Sequence, residues 1–220
     1  MIKNEPKLGE GIYLIKDVSE ILLLPYSKVR YWMHEFWDCR FGKIHGGAYS
    51  FGEQGNKAVN FFALIEFYTF YQLRVQGVSS QQIQKAHQIM SKELNTPFPF
   101  ATAEVSTDKK NIWYETLGNI IKADGKKQFD IKKLISPFLH KVEFDKNNVA
   151  TRFFPLENSK NVVVDPKHQF GQPTISGRNI NVATIKKLYE GGESKESISI
   201  LYNLKSSEVN DALRYYKRAS

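Results

Sequence analysis

NVVVDPKHQFGQPTISGRNINVATIKKLYEGGESKESISILYNLKSSEVNDALRYYKRAS, residues 161–220, decides how the fold is read. A β-branched run at 162–164 is stopped by Asp165-Pro166, and residues 171–177 (GQPTISG) are too rich in turn formers to be the interior of an element. Asn181 is a good N-cap for a first helix that ends at Gly191-Gly192. Ser194 starts a second helix, and Ser206 or Ser207 starts a third. Ile185, Leu188, Ile198, Leu201, Val209, Leu213 and Tyr216 fall at helical spacing, so three apolar stripes can share one small core. Two short helices, a polar turn at 203–206 and a basic third helix make the outline of a helix-turn-helix. Its outward positions include Lys205, Ser207, Asn210, Arg214 and Lys217.

A second stretch has the same logic. Residues 13–23 (YLIKDVSEILL) read as a short strand or turn followed by a helix with Val18, Ile21 and Leu22 as its stripe. Leu24-Pro25-Tyr26 is the turn, and Ser27 opens a second helix at 28–36. There Val29, Trp32, Met33 and Phe36 face inward and leave Ser27, Lys28, Arg30, Tyr31 and His34 at the surface. Residues 40–51 (RFGKIHGGAYSF) read as a hairpin turning at Gly46-Gly47. Helix, turn, helix, hairpin is the order of a winged helix-turn-helix. A recognition helix must present several hydrogen-bonding side chains from one face to the major groove. Ser27, Lys28, Arg30, Tyr31 and His34 can do so, while Arg40, Lys43 and His45 on the expected wing can reach phosphates.

The C-terminal segment resembles the prokaryotic domain-of-unknown-function family 433 (DUF433), through Asp165-Pro166, Gly171-Gln172-Pro173-Thr174-Ile175, Gly177, Ile180, Val182, Gly191-Gly192-Glu193-Ser194 and Ile198. That family usually carries Thr-Arg-Ile-Pro after the second glycine; this chain has Arg178-Asn179-Ile180-Asn181, with its arginine one position earlier. Lys28-Val29-Arg30-Tyr31-Trp32 resembles the start of the recognition helix of MerR-like regulators. In VapB-type antitoxins a MerR-like domain precedes the DUF433 domain and is followed by two helices and a Thr-Pro-Phe/Tyr-Pro-Phe-Ala signature. Helices expected at 58–75 and 80–94, then Thr96-Pro97-Phe98-Pro99-Phe100-Ala101, stand here in that order. The resemblance implies an antitoxin that represses its own operon and pairs with a PIN-like toxin.

Composition is compatible with that reading. In 220 residues a sizeable core can be buried, and the apolar and charged fractions, 41% and 25%, are those of a globular chain. Lys and Arg number 31 against 23 Asp and Glu, a net +8 that favours an acidic partner such as nucleic acid. The excess is spread along the chain, so no basic tail explains it. A single cysteine, Cys39, excludes an intrachain disulfide and fits a reducing cytoplasm, which the resemblance implies is prokaryotic. The polar start, residues 1–11, has no signal-peptide character, and the most apolar segment, 59–75, is broken by Asn60, Glu66, Gln72 and Arg74 and reads as a buried helix rather than a membrane span. Residues 60–73 are apolar around most of the helix circumference, which suits either a central core helix or a core helix that also packs against a second subunit, and the MerR-like resemblance favours the second. The next helix follows a Ser79-x-x-Gln82 capping box, with Ile83, Ala86, Met90 and Leu94 as its stripe.

Residues 102–160 are expected to form a small antiparallel sheet: strands at 111–116, 141–144 and 149–154, a turn at 145–148, and a short helix or turn at 129–139 interrupted by Pro137. Enzyme signatures are missing from the sequence. The glycine-rich 46–55 lacks the phosphate-loop spacing, and His34, His45, His87, His140 and His168 are scattered, so no catalytic residue, metal or cofactor is expected. The fold class expected is α+β and mainly helical. It comprises a winged helix-turn-helix with two following helices (1–101), a β-rich connector (102–160) and a three-helix unit (161–220). The function expected is a homodimeric antitoxin that binds palindromic operator DNA through Ser27, Lys28, Arg30, Tyr31, His34, Arg40, Lys43 and His45, and that blocks a PIN-like ribonuclease. Arg178, Lys205, Ser207, Asn210, Arg214 and Lys217 mark a second nucleic-acid or partner surface. The alternatives are a stand-alone MerR-like regulator with a sensing or interaction domain, and a pure protein-interaction module.

Overall fold

A computed structural model describes residues 6–45, 47–53, 55–102 and 140–218. The architecture is α+β with small antiparallel sheets. Strand β1 (Tyr13–Leu14) leads directly into helix α1 (Ile15–Leu22), whose start is capped by the Asp17 carboxylate accepting from the Leu14 N–H at 2.9 Å. The helix stops at Leu23, which takes the left-handed conformation (φ 56°) so that the Leu24 N–H can reach the Ser19 carbonyl at 3.0 Å. Pro25, extended and without an N–H to satisfy, then precedes α2 (Tyr26–Trp32).

The helix expected at 28–36 runs further. After Trp32 it continues without a break through a π-type segment, Met33–Phe41, and a last α turn, α3 (Gly42–His45). The expected hairpin at 40–51 is therefore corrected: Arg40, Lys43 and His45 lie on a helix. Met33, Phe36, Trp37 and Phe41 are all buried, and the wider winding keeps this apolar row on the core side. Gly42 is needed where the chain folds back, because a Cβ there would lie 2.4 Å from the Gly47 carbonyl oxygen. A hairpin-like pairing follows instead between Phe51 and Ala58, which exchange two backbone hydrogen bonds of 2.9 Å. Strand β2 (Ala58–Val59) pairs antiparallel with β1. Asp38 anchors this segment to the long helix: its carboxylate accepts from the N–H groups of Tyr49 and Ser50, the Ser50 hydroxyl and the Lys57 ammonium.

Helix α4 (Phe61–Val75) begins with the Asn60 side chain accepting from the Ala63 N–H, and it buries residues around most of its circumference, Glu66 and Thr69 among them. Trp37 stacks on Phe67 at 4.1 Å, and Phe70 is met by Trp32, Phe36 and Trp37. Helix α5 (Ser80–Glu93) carries the expected Ser79/Gln82 capping box and buries Ile83, Ala86 and Met90. After it, residues 96–101 fold onto the core: the Glu66 carboxylate accepts from the backbone N–H groups of Phe100 and Ala101 at 2.7 and 3.1 Å.

The strand expected at 111–116 and the helix or turn at 129–139 lie outside the described residues. Strands β3 (Val142–Phe144) and β4 (Ala150–Phe153) pair as expected, with the Asp145 side chain closing the turn onto the N–H groups of Asn147 and Val149. Phe153 also pairs with Val164, next to β5 (Val162–Val163), and β5 pairs with β6 (Thr174–Ile175). The C-terminal helices are α6 (Val182–Glu190), α7 (Lys195–Tyr202) and α8 (Ser206–Lys217), with Asn181 and Ser194 capping the first two as the sequence predicts. Two cores result. β3, β4 and Val164 share the large N-terminal core, whereas Val162, Ile175, Val182, Ile185, Ile198, Leu204, Val209 and Leu213 form a smaller one. Leu201, expected in that stripe, is instead 66% exposed, as is its neighbour Ile200 at 82%, because among the described residues nothing buries that side of α7. Among the described residues no helix is long and apolar enough to cross a membrane.

Candidate nucleic-acid interface

Ser27, Arg30, Tyr31 and His34 recur at helical spacing along α2 and its continuation, and all four are exposed on one face. Together with Lys57 from the loop before β2 they line a groove of about 630 Å³ between the helix and the 51–58 segment. Lys57 is a member that sequence spacing does not reveal, because the Asp38 carboxylate, 2.6 Å from its ammonium, brings it there. Burial of the opposite face explains the orientation: Val29, Trp32 and Met33 are in the core. His34 is paired with Glu35 at 3.3 Å, both partly exposed.

Lys28 and Arg40 are placed differently. The Lys28 ammonium lies over the rings of Trp32 (5.0 Å) and Tyr71 (5.5 Å), and the Arg40 guanidinium lies over Phe36 (4.8 Å). Both are solvent-exposed cations on the flank of the helix. Lys43 is exposed on α3, and His45 closes that helix. The structure thus brings Ser27, Arg30, Tyr31 and His34 together and sets Lys28, Arg40 and Lys43 apart from them.

On the C-terminal unit Lys205, Ser207, Asn210, Arg214 and Lys217 are exposed. Asn210 accepts from the Lys195 ammonium at 2.8 Å, Arg214 pairs with Asp211 at 3.1 Å, and Arg178 approaches Glu208 at 4.0 Å. Glu208 also receives the Lys205 N–H at 2.7 Å, which caps α8. Among the described residues no cluster of three His, Cys, Asp or Glu side chains could hold a metal ion.

Residues 162–216 match the family described as "Protein of unknown function (DUF433)". Over 95% of both chains the sequence is 21% identical to "Putative antitoxin VapB45" of Mycobacterium tuberculosis. A 57-residue stretch, 26% of this chain and 24% of the other, is 35% identical to "Uncharacterized protein Rv2308" of the same organism. The fold is shared with the crystal structure of Rv2018 from Mycobacterium tuberculosis, with a TM-score of 0.71 and 19% identity over 91% of this chain and 96% of that one.

Besides the pairing of Val164 with Phe153, the C-terminal region meets the N-terminal unit around Gly171 and around Arg218. Gly171, with φ 87°, presses against Tyr13: a Cβ there would stand 2.0 Å from the phenolic oxygen, so the glycine of the Gly-Gln-Pro-Thr-Ile stretch is required by close approach as well as by its turn. Beside it the Ile12 N–H donates to the Phe170 carbonyl at 3.0 Å. At the other end Arg218 donates to the carbonyls of Glu20, Ile21 and Pro155, placing a cation at the C-terminus of α1 where the helix dipole favours it. Asp165 of the Asp-Pro pair has a structural role. Burial alone would raise its pKa, but the Lys167 N–H, Arg152 and His168 outweigh this and hold the carboxyl below its ordinary range.

Proposed function

We propose that this chain is the antitoxin of a type II toxin-antitoxin pair, that it binds operator DNA through α2, and that it neutralises a PIN-like ribonuclease without catalysis of its own. The observation that carries the toxin-antitoxin reading is the similarity, across nearly the whole of both chains, to a protein named as an antitoxin. The exposed face of α2 supports the DNA part. Ser27, Arg30, Tyr31 and His34 are polar, share one side of a helix held by a buried opposite side, and stand beside cationic Lys57. Arginine reading guanine in the major groove, and serine accepting or donating at either base type, are ordinary uses of these side chains. Lys28, Arg40 and Lys43 on the flank suit phosphate contacts, which position a protein without specifying sequence.

In this mechanism a homodimer places two copies of α2 in successive major grooves of a palindrome, so that the two-fold axis of the protein matches that of the operator. The toxin binds a different surface, in the middle or DUF433 region. The DNA part is tested by titrating a labelled fragment of the chain's own promoter at several salt concentrations. Wild type is expected to bind with a falling log–log salt dependence, and Arg30→Ala to lose about 1–3 kcal/mol of affinity for the operator, with a smaller loss on unrelated duplex. Equal affinity of Arg30→Ala and wild type for the operator would remove α2 from the interface.

A further inference from the structure

The C-terminal unit repeats the backbone design of the first helix-turn-helix at one constant offset along the chain. Leu23 and Asn203 both take the left-handed conformation, with φ 56° and 50°. The next residues, Leu24 and Leu204, donate their N–H groups to the carbonyls of Ser19 and Ser199 at 3.0 and 2.9 Å. Pro25 and Lys205 follow as extended caps of α2 and α8. The cores agree at five positions, since Val18, Leu24, Val29, Trp32 and Met33 are buried and so are their counterparts Ile198, Leu204, Val209, Ala212 and Leu213, whereas buried Ile21 and Leu22 correspond to exposed Leu201 and half-buried Tyr202. The outward positions agree too, since Ser27, Arg30 and His34 are exposed and so are Ser207, Asn210 and Arg214.

Where the two units differ, the acidic residues of the second are engaged internally. Glu208 stands at the position of Lys28 and caps α8 while approaching Arg178. Asp211 stands at the position of Tyr31 and accepts from Ser159, Asn161 and Arg214. Ser207, Asn210, Arg214 and Lys217 are exposed on α8 at helical spacing, with Asn210 also accepting from Lys195 and Arg214 also paired with Asp211 and donating to the Glu157 carbonyl. The two units also abut. The end of α8 reaches the end of α1 through Arg218, and a crevice of about 390 Å³ at that junction is lined by Lys141, Arg214 and Arg218, by the carboxylate of Glu157, and by four uncharged residues that include Leu23. Glu157 pairs with Lys141 at 3.9 Å, and Leu23 belongs to the turn that leads into α2.

We propose that the C-terminal unit is a second duplex-contacting head, so that one chain touches two neighbouring stretches of DNA, through α2 and through α8. The proposal extends the reading of α2 as the first head, and the two can fail separately. The experiment is hydroxyl-radical footprinting and salt titration of the full-length protein on its promoter fragment. It compares wild type, Arg30→Ala/His34→Ala and Asn210→Ala/Lys217→Gln, each checked by thermal melting for a native fold. Wild type is expected to protect two stretches. The α8 pair should erase one of them, weaken binding about tenfold and lower the salt slope by about one, the share of a single lost phosphate contact. The α2 pair should erase the other stretch.

An unchanged footprint and slope for Asn210→Ala/Lys217→Gln would overturn the second head and leave α2 as the sole reader. Protection that survives the α2 pair whole but disappears with the α8 pair would uphold the second head and overturn the reading of α2. Absence of salt-dependent binding by wild type to its promoter and to unrelated duplex alike would overturn both.

Discussion

Glu66 is fully buried beside His87, with 3.1 Å between its Oε2 and the His87 Nε2, and burial pushes its pKa up against the opposing pull of His87 and of the Ala101 and Phe100 N–H groups. Its other oxygen holds the chain of the Thr-Pro-Phe-Pro-Phe-Ala stretch, so that signature closes over the core by way of a side chain on α4. Removing the shared acceptor in Glu66→Ala is expected to cost roughly 2–6 kcal/mol in urea unfolding, given about 1–3 for each buried donor left unsatisfied. Glu66→Gln, which keeps an oxygen for both donors, should cost clearly less. Equal losses would assign the effect to packing alone. Asp165 makes the complementary case. Its folded pKa is lowered, so its stabilising contribution is fully present above the unfolded value of about 3.9 and is lost as pH falls through the folded one. The gap in urea midpoint between wild type and Asp165→Asn should therefore be widest near neutral pH and shrink below about pH 4; a gap that stays constant down to pH 2–3 would exclude an ionic origin. Neither partnership is legible in the sequence, because Glu66 and Phe100 are far apart along the chain. The Asp-Pro pair, by contrast, is visible as a strand stop but not as a receiver of Arg152 and His168.

At the level of elements, the C-terminal helices could be read directly because their ends are chemically marked: Asn181 and Ser194 accept the N–H groups that open α6 and α7, and Gly191-Gly192 lets the chain leave the first. The long helix from Tyr26 to His45 is harder to read, since Gly46-Gly47 imitates a hairpin turn while the apolar row of Met33, Phe36, Trp37 and Phe41 carries the helix onward. The pairing that follows, at 51–58, depends on Asp38, whose partners are 11 or more residues away. Gly42→Ala tests this account of the fold-back: the added Cβ meets backbone rather than a flexible side chain, so a fall in melting temperature is expected. A variant as stable as wild type would mean that the 42–47 approach is not tight. The candidate face on α2 was legible for the same reason as the helix, because Ser27, Arg30, Tyr31 and His34 share its period. Lys28 lies partly over Tyr71, a ring supplied by α4, which no local pattern announces.

For the whole molecule, the N-terminal unit and the C-terminal region meet at Tyr13 against Gly171, at Phe153 against Val164 and at Arg218 against the end of α1, so the two are expected to report on one another. An antitoxin that represses its own operon and also holds a toxin has use for such a connection, because occupancy of one surface can then bias the other. Arg218→Ala removes the cation at the α1 terminus and should lower stability by about 0.3–1 kcal/mol through the dipole alone, with the lost hydrogen bonds adding to that. The neutralising role is the claim on which the account depends most. Its most direct test is co-expression of the full chain with the product of its genomic neighbour, followed by growth measurement and by size-exclusion chromatography with mass determination. A stable complex with a small ribonuclease, together with relief of that protein's toxicity, is the predicted result. A chain that elutes without the neighbour and leaves its toxicity unchanged would contradict the antitoxin reading.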